Sequence, residues 1–310
     1  RLGVVGESGA GKTVAALALL DLLDAPGRIE GGSIRFDGEE VLDASPDRLR
    51  RLRGGEIGLV FQDPETALDP VYTVGEQVAE AVRVHTDLAG DAAHDRAVSL
   101  LDRVGIPDPA TRATQYPHEF SGGMAQRAVV AVALAGDPDL LVADEPTTAL
   151  DVTIQAQLLD LFDDLAADDL AVQLISHDLG VVAEFCDRVL VMYAGQAVER
   201  TTVDDLFYRP KHPYTAGLLS AVPRIGDDRD RLQTIPCATT DLASPPPGCR
   251  FHPRCPYAED ACTKRDPPLA AVDGESDAHR AACLAYVDDA DFDGDLDFYV
   301  EVDGEREADP

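Results

Sequence analysis

Gly6-Glu7-Ser8-Gly9-Ala10-Gly11-Lys12-Thr13 decides the reading of this chain. Its spacing is G-x-x-x-x-G-K-[ST], in which the glycines let the backbone curl until several N–H groups face one anion. Arg1-Leu2-Gly3-Val4-Val5 before it reads as the end of a short strand. Val14 to Leu23 after it is apolar and built of good helix formers. Strand, glycine loop and helix in that order set the positive end of a helix behind a bound phosphate. Gly6, Glu7, Ser8, Gly9, Ala10 and Gly11 are expected to supply the cradle. Lys12 is expected to bridge the β- and γ-phosphates of a nucleotide, and the Thr13 hydroxyl to ligate Mg²⁺.

The second half of such a site follows from Leu140-Leu141-Val142-Ala143-Asp144-Glu145. An apolar, buried strand carries Asp144 to the end of a sheet, where it is expected beside the metal. Glu145 is placed to polarise a water for attack on the terminal phosphate. Further strands are expected at residues 32–36, 57–61, 171–175, 188–192 and 196–198, the last two closing the sheet. They alternate with helices over 74–84 (capped by Thr73, with Glu76 completing a capping box), 93–104, 125–135 (capped by Ser121), 155–167 and 179–185. Strands alternating with helices imply an α/β fold whose parallel sheet is covered on both faces.

With these elements in place, Phe120-Ser121-Gly122-Gly123-Met124-Ala125-Gln126-Arg127 resembles the signature of ABC-transporter ATPases. Gln62 resembles that family's Q-loop, Ala149-Leu150-Asp151 its D-loop, and His177 in Ile175-Ser176-His177-Asp178 its switch histidine. The motifs stand in family order across residues 1 to about 200. The resemblance implies a P-loop NTPase core with a mostly parallel sheet over 1–62 and 138–200 and a helical signature subdomain over 63–137. It also implies ATP and Mg²⁺ as ligands and ATP hydrolysis as the activity. On the same footing Ser121, Gly122, Gly123 and Asp151 cover the nucleotide of a facing subunit. Gln62 senses metal and water, with Thr13 and Asp144 as its companions at Mg²⁺, and His177 orients the terminal phosphate. Residues ahead of Arg1, among them an aromatic that stacks on adenine, are implied too, so the chain is expected to be a truncated form.

His212-Pro213-Tyr214-Thr215, Met192-Tyr193-Ala194-Gly195 and the cysteine-rich segment resemble the dipeptide/oligopeptide importer branch. That branch implies a like or related second ATPase subunit, two transmembrane permease subunits, and an external solute-binding protein acting indirectly. It implies a place on the cytoplasmic face of the membrane, with peptides, nickel or similar solutes as cargo. The rivals from other classes are a soluble ABC-type ATPase of DNA repair or translation and a redox-sensing module that does not transport.

Composition weighs on those rivals. Asp and Glu number 58 against 26 Lys and Arg, a formal charge of −32, which disfavours a nucleic-acid partner. Lysine occurs only at Lys12, Lys211 and Lys264, and Asp outnumbers Glu by more than two to one, the pattern of a protein kept hydrated in concentrated salt. The longest apolar run, Ala128 to Ala135, is far short of the roughly 20 residues of a membrane span.

Six cysteines remain. Cys186 reads as a small buried hydrophobe and Cys237 has no evident role. Cys249, Cys255, Cys262 and Cys283 lie in an extension over 201–287 with little core-forming pattern, and a reducing compartment disfavours disulfides. Structural zinc prefers close cysteine pairs, absent here, whereas an iron–sulfur cluster accepts wider spacing. Cluster, zinc and unliganded thiols stay open, with a 4Fe–4S cluster, as in the C-terminal segment of the resembling importers, the favoured reading. The acidic tail over 288–310 mimics the opening of a calcium loop at Asp289, Asp291 and Asp293. It has Val300 where the bidentate Glu belongs, so a solvated tail is expected.

Overall fold

Apolar periodicity and local caps account for most elements of the computed structural model, which describes residues 1–61, 64–148, 150–222, 235, 240, 242–272, 278–292, 294 and 296. In chain order they are β1 (Leu2–Val5), α1 (Lys12–Leu19), β2 (Arg35–Phe36), β3 (Glu39–Glu40), α2 (Pro46–Arg51), β4 (Ile57–Val60) and α3 (Pro64–Ala67). Next come α4 (Val74–His85), α5 (Asp91–Arg103), α6 (Pro109–Arg112), α7 (Gly122–Ala133), β5 (Leu140–Asp144), α8 (Val152–Ala167) and β6 (Ala171–Ser176). The chain continues through α9 (Leu179–Phe185), β7 (Arg188–Tyr193), β8 (Gln196–Thr202), α10 (Val203–Tyr208), α11 (Pro213–Ser220), β9 (Ala270–Ala271) and β10 (Arg280–Ala281). Gln62, Ala149, Cys237 and most of the acidic tail lie outside the described residues.

The chain forms two compact units, one of Arg1 with Thr13–Ile175 and one of Leu2–Lys12 with Ser176–Pro310. In the first, β4, β5 and β6 pair parallel in that order, with Ile57 opposite Leu140 and Asp144 opposite Ile175. Leu141, Val142 and Ala143 of β5 are fully buried, as a strand covered on both faces requires. Helices α4, α5 and α7 form an apolar cluster through Val78 and Val82, Leu100 and Leu101, and Ala128 and Val130, all removed from solvent. Thr73 accepts from Glu76 N to cap α4, and Ser121 accepts from Met124 N to cap α7, so both expected helix starts are met.

In the second unit the strand order is β1-β7-β8-β10-β9. β1 and β7 are parallel, with Val5 opposite Val191, and the remaining pairs are antiparallel. Pairing among the longer strands is mostly parallel, as expected, and β8 is antiparallel because the two-residue turn Ala194-Gly195 returns it directly along β7. One expectation is corrected: β7 and β8 do not end the sheet, since the short β10 and β9 extend the edge. β8 also runs four residues further than residues 196–198. Glu199 looks like a strand breaker in sequence, yet it is fully buried and accepts from Lys211 N (2.7 Å), His212 N (2.9 Å) and His279 Nε2 (2.7 Å). Three donors satisfy the carboxylate that a buried strand position otherwise excludes.

Candidate functional site

The phosphate loop is built where β1 runs out. Gly6, Gly9 and Gly11 take φ values of +155°, +80° and +98°, a region that side chains rarely adopt. At Gly6 a Cβ would stand 2.2 Å from Met192 O, so the loop lies directly against the end of β7. Gly195 N donates to Ala10 O (2.9 Å) and fixes the far side of the loop. Lys12 is 7% exposed, and its ammonium donates to Gly6 O (2.9 Å) and Glu7 O (3.3 Å). A lysine in this lysine-poor chain is thus held inside a ring of backbone at the first turn of α1. Ser8, Gly9 and Thr13 are exposed at the loop's mouth. The curled glycines, the buried ammonium and the helix start together form a cradle of the right chemistry for a polyphosphate.

His177 belongs to the same unit. It is exposed between β6 and α9, and its neighbours are pinned: Asp178 N donates to Ser176 Oγ (2.9 Å), and Asp178 caps α9 through Gly180 N (2.8 Å).

The other unit holds the remaining candidates. Asp144 is 6% exposed at the end of β5, and Glu145 follows it with φ +47°. A glutamate in that left-handed region costs about 1 kcal/mol. It is held there by Glu145 N donating to Ile175 O (2.9 Å) and by Thr148 Oγ1 donating to its carboxylate (3.2 Å). The constraint fixes the carboxylate beside Asp144 at the strand end, where a base for water activation is useful. Ser121 and Gly122 are exposed at the N-terminus of α7. A Cβ on Gly123 would lie 2.7 Å from Ile154 Cγ2, so the start of α7 packs on the first turn of α8. Asp151 caps that turn, accepting from Thr153 N and Ile154 N, both at 3.0 Å. The first turns of α7 and α8, with Gly123 and Asp151, are thereby brought together. The geometry of Gln62 is outside the described residues.

The C-terminal extension joins the second unit through a ring cluster. Tyr193, Tyr214 and Phe251 meet tilted or edge to face, with centroids 4.6 to 5.5 Å apart. His212 caps α11, its Nδ1 accepting from Tyr214 N (3.1 Å). Burial holds His212 down at about 4, against the attraction of Glu199 and a hydrogen bond to the Ala282 backbone. Cys249, Cys255, Cys262 and Cys283 all line one pocket, together with Phe251 and Leu284. Burial pushes the Cys249 and Cys283 thiols up to about 11 and Cys255 up to about 12. Among the described residues no group of three or more His, Cys, Asp or Glu is set to hold a metal ion. The expected 4Fe–4S cluster is therefore not borne out as a preformed metal site. What the fold does supply is one apolar cavity shared by four thiols.

Two contacts of the phosphate loop with this extension escaped the sequence reading. Glu7 N donates to Tyr214 Oη (2.9 Å), and Arg254 Nη1 donates to Glu7 Oε1 (2.7 Å). Nearly 250 residues separate the partners of the second, so no local pattern announces it.

Comparison with known proteins places this geometry. Residues 1–148 match the ABC transporter family, and residues 198–262 match the C-terminal region of oligopeptide/dipeptide transporters. A putative peptide import ATP-binding protein of Brucella abortus (strain 2308) is 52% identical over 276 residues, covering 89% of this chain and 83% of the relative. The dipeptide transport ATP-binding protein DppD of Escherichia coli (strain K12) is 46% identical over 290 residues, 93% of this chain and 88% of the relative. Among solved structures, a dimeric ATP-binding cassette in a post-hydrolysis state with ADP and phosphate superposes with a TM-score of 0.57 at 27% identity, covering 65% of this chain and 84% of that one.

Proposed function

This chain belongs to the ABC-transporter ATPases, in their oligopeptide/dipeptide branch, and from that membership we propose that it binds and hydrolyses ATP to power import of dipeptides or oligopeptides. The observation that carries the reading is the phosphate loop: glycines at positive φ, Lys12 buried among its carbonyls, and a helix beginning at once.

Mg²⁺, when bound, offsets the charge of the phosphates, and Thr13, Asp144 and Gln62 are the residues that would hold it. Gly6 to Gly11 donate backbone N–H groups to the phosphates, and Lys12 exchanges its carbonyl partners for phosphate oxygens. Glu145 takes a proton from the attacking water, and His177 donates to the terminal phosphate. Ser121, Gly122 and Gly123 offer a hydroxyl and a helix N-terminus to the nucleotide of a facing subunit, with Asp151 acting across the same contact. ATP then joins two half-sites, and hydrolysis releases them.

The segment 63–137 is the proposed docking part for two permease subunits at the cytoplasmic face of the membrane, with cargo chosen by an external binding protein. Among the described residues no helix is long and apolar enough to cross a membrane. The reading kept for the four thiols around one pocket is a 4Fe–4S cluster as the stabilising centre of 201–287. Iron and sulfide assays on anaerobically purified protein test this; zinc, or no metal, refutes it. The acidic, lysine-poor surface suits a concentrated-salt cytoplasm.

Replacing Glu145 with Gln tests the main reading. The variant is expected to keep nucleotide affinity, lose turnover, and elute as a dimer in MgATP. Turnover at the parent rate overturns the assignment of Glu145.

A further inference from the structure

We propose that Arg254, inside the cysteine-bearing segment, is a positioning residue for the phosphate loop: by engaging Glu7 it neutralises a carboxylate set among the phosphate donors and lets the C-terminal extension tune nucleotide affinity. The inference rests on the reading of Gly6–Thr13 as the nucleotide site. Glu7 is the second residue of that loop, and three side chains hold its position alongside Ala10 N, which donates to its carbonyl (3.1 Å). Its carboxylate receives Arg254 Nη1 at 2.7 Å, its N–H is taken by Tyr214 Oη at 2.9 Å, and its carbonyl receives Lys12 Nζ at 3.3 Å. A shift of Glu7 therefore moves the ammonium that would meet the phosphates.

Arg254 is itself locked. Its side chain is 6% exposed, it donates to Tyr193 Oη (3.3 Å), and its guanidinium lies 5.7 Å from the Tyr193 ring centroid. Tyr193 ends β7, one residue after Met192, whose carbonyl backs Gly6. Arg254 also lies directly before Cys255, on the turn His252–Arg254 that follows Phe251 of the ring cluster. The cysteine segment thus reaches the loop by a short chain of packed, hydrogen-bonded groups.

Charge gives this contact a role beyond packing. A carboxylate within a phosphate loop repels the anion the loop exists to bind. Glu7 retains about a fifth of its side-chain exposure, so it is not sequestered from the site. Arg254 pairs it and holds it toward the extension. Without Arg254 the negative charge stands alone beside the phosphates, and the N–H and carbonyl of Glu7 lose an anchor.

Calorimetric titration of the full-length chain with MgADP, which avoids turnover, tests the proposal. Arg254→Met is expected to weaken MgADP by about tenfold, within the usual range of a coupling between neighbouring sites. In a Glu7→Gln background the same substitution is expected to change affinity by less than about threefold, because the charge it would unmask is gone. A purely structural role predicts the reverse: a lowered melting temperature with affinity unmoved, or the same loss in both backgrounds, and either overturns the proposal. Should Arg254→Met alone not fold, the double variant against Glu7→Gln decides by itself, since a tenfold loss there refutes action through Glu7. If the parent chain itself binds no MgADP, it is the phosphate-site reading that fails, and this inference with it.

Discussion

Gly6→Ala and Gly9→Ala differ by one methyl each from the parent and are expected to differ greatly in effect. At Gly6 (φ +155°) the new Cβ would lie 2.2 Å from Met192 O, where such atoms essentially never approach within 3.0 Å. The loop or the end of β7 must therefore move by about 0.8 Å. Misplacement on the order of 1 Å in an active site can cost about a hundredfold in rate. Since Lys12 donates to Gly6 O, that displacement reaches the ammonium directly. At Gly9 (φ +80°) no atom lies within 4 Å of the added methyl, so only the backbone penalty remains, about 1–2 kcal/mol. ATPase assays on both variants are expected to show a loss of about a hundredfold in turnover for Gly6→Ala and less than about thirtyfold for Gly9→Ala. Equal losses would refute the view that contact with β7, and not glycine content alone, shapes the loop.

Two further outcomes follow from the same contacts. Ser121→Ala and Thr73→Ala each remove a helix cap worth about 1 kcal/mol, but only Ser121→Ala is expected to abolish the ATP-driven dimer of the Glu145→Gln variant on gel filtration. His212 titrates near 6.5 when unfolded and about 4 when buried, so the unfolded chain binds its proton first. That stability is fully present above pH 6.5 and lost as pH falls toward 4; thermal melts at about pH 7 and about pH 4.5 are expected to differ less in His212→Asn than in the parent, with Glu199 and the Ala282 carbonyl the groups facing the ring.

Local chemistry made much of this protein legible in advance. The helix starts at Thr73 and Ser121, the phosphate loop between β1 and α1, and the strand ending at Asp144 each depend on residues a few positions apart. Helix α9 emerges with its expected limits, Leu179–Phe185, for the same reason. The readings that needed correction involve distant partners. Glu199 hid four residues of β8 because its three donors come from Lys211, His212 and His279. The added edge strands β10 and β9 are two residues each, too short for any periodicity.

From sequence alone came which glycines curl, which lysine the loop encloses, which carboxylates end the buried strand, and which serine caps α7. Spacing along one chain determines these, because backbone dihedrals and first-turn hydrogen bonds act over a handful of residues. Tertiary structure alone decided that the cysteine segment backs the phosphate loop through Arg254 and Glu7, and that four scattered thiols share one cavity. Those contacts join residues far apart in the chain, and burial, not proximity in sequence, selects them.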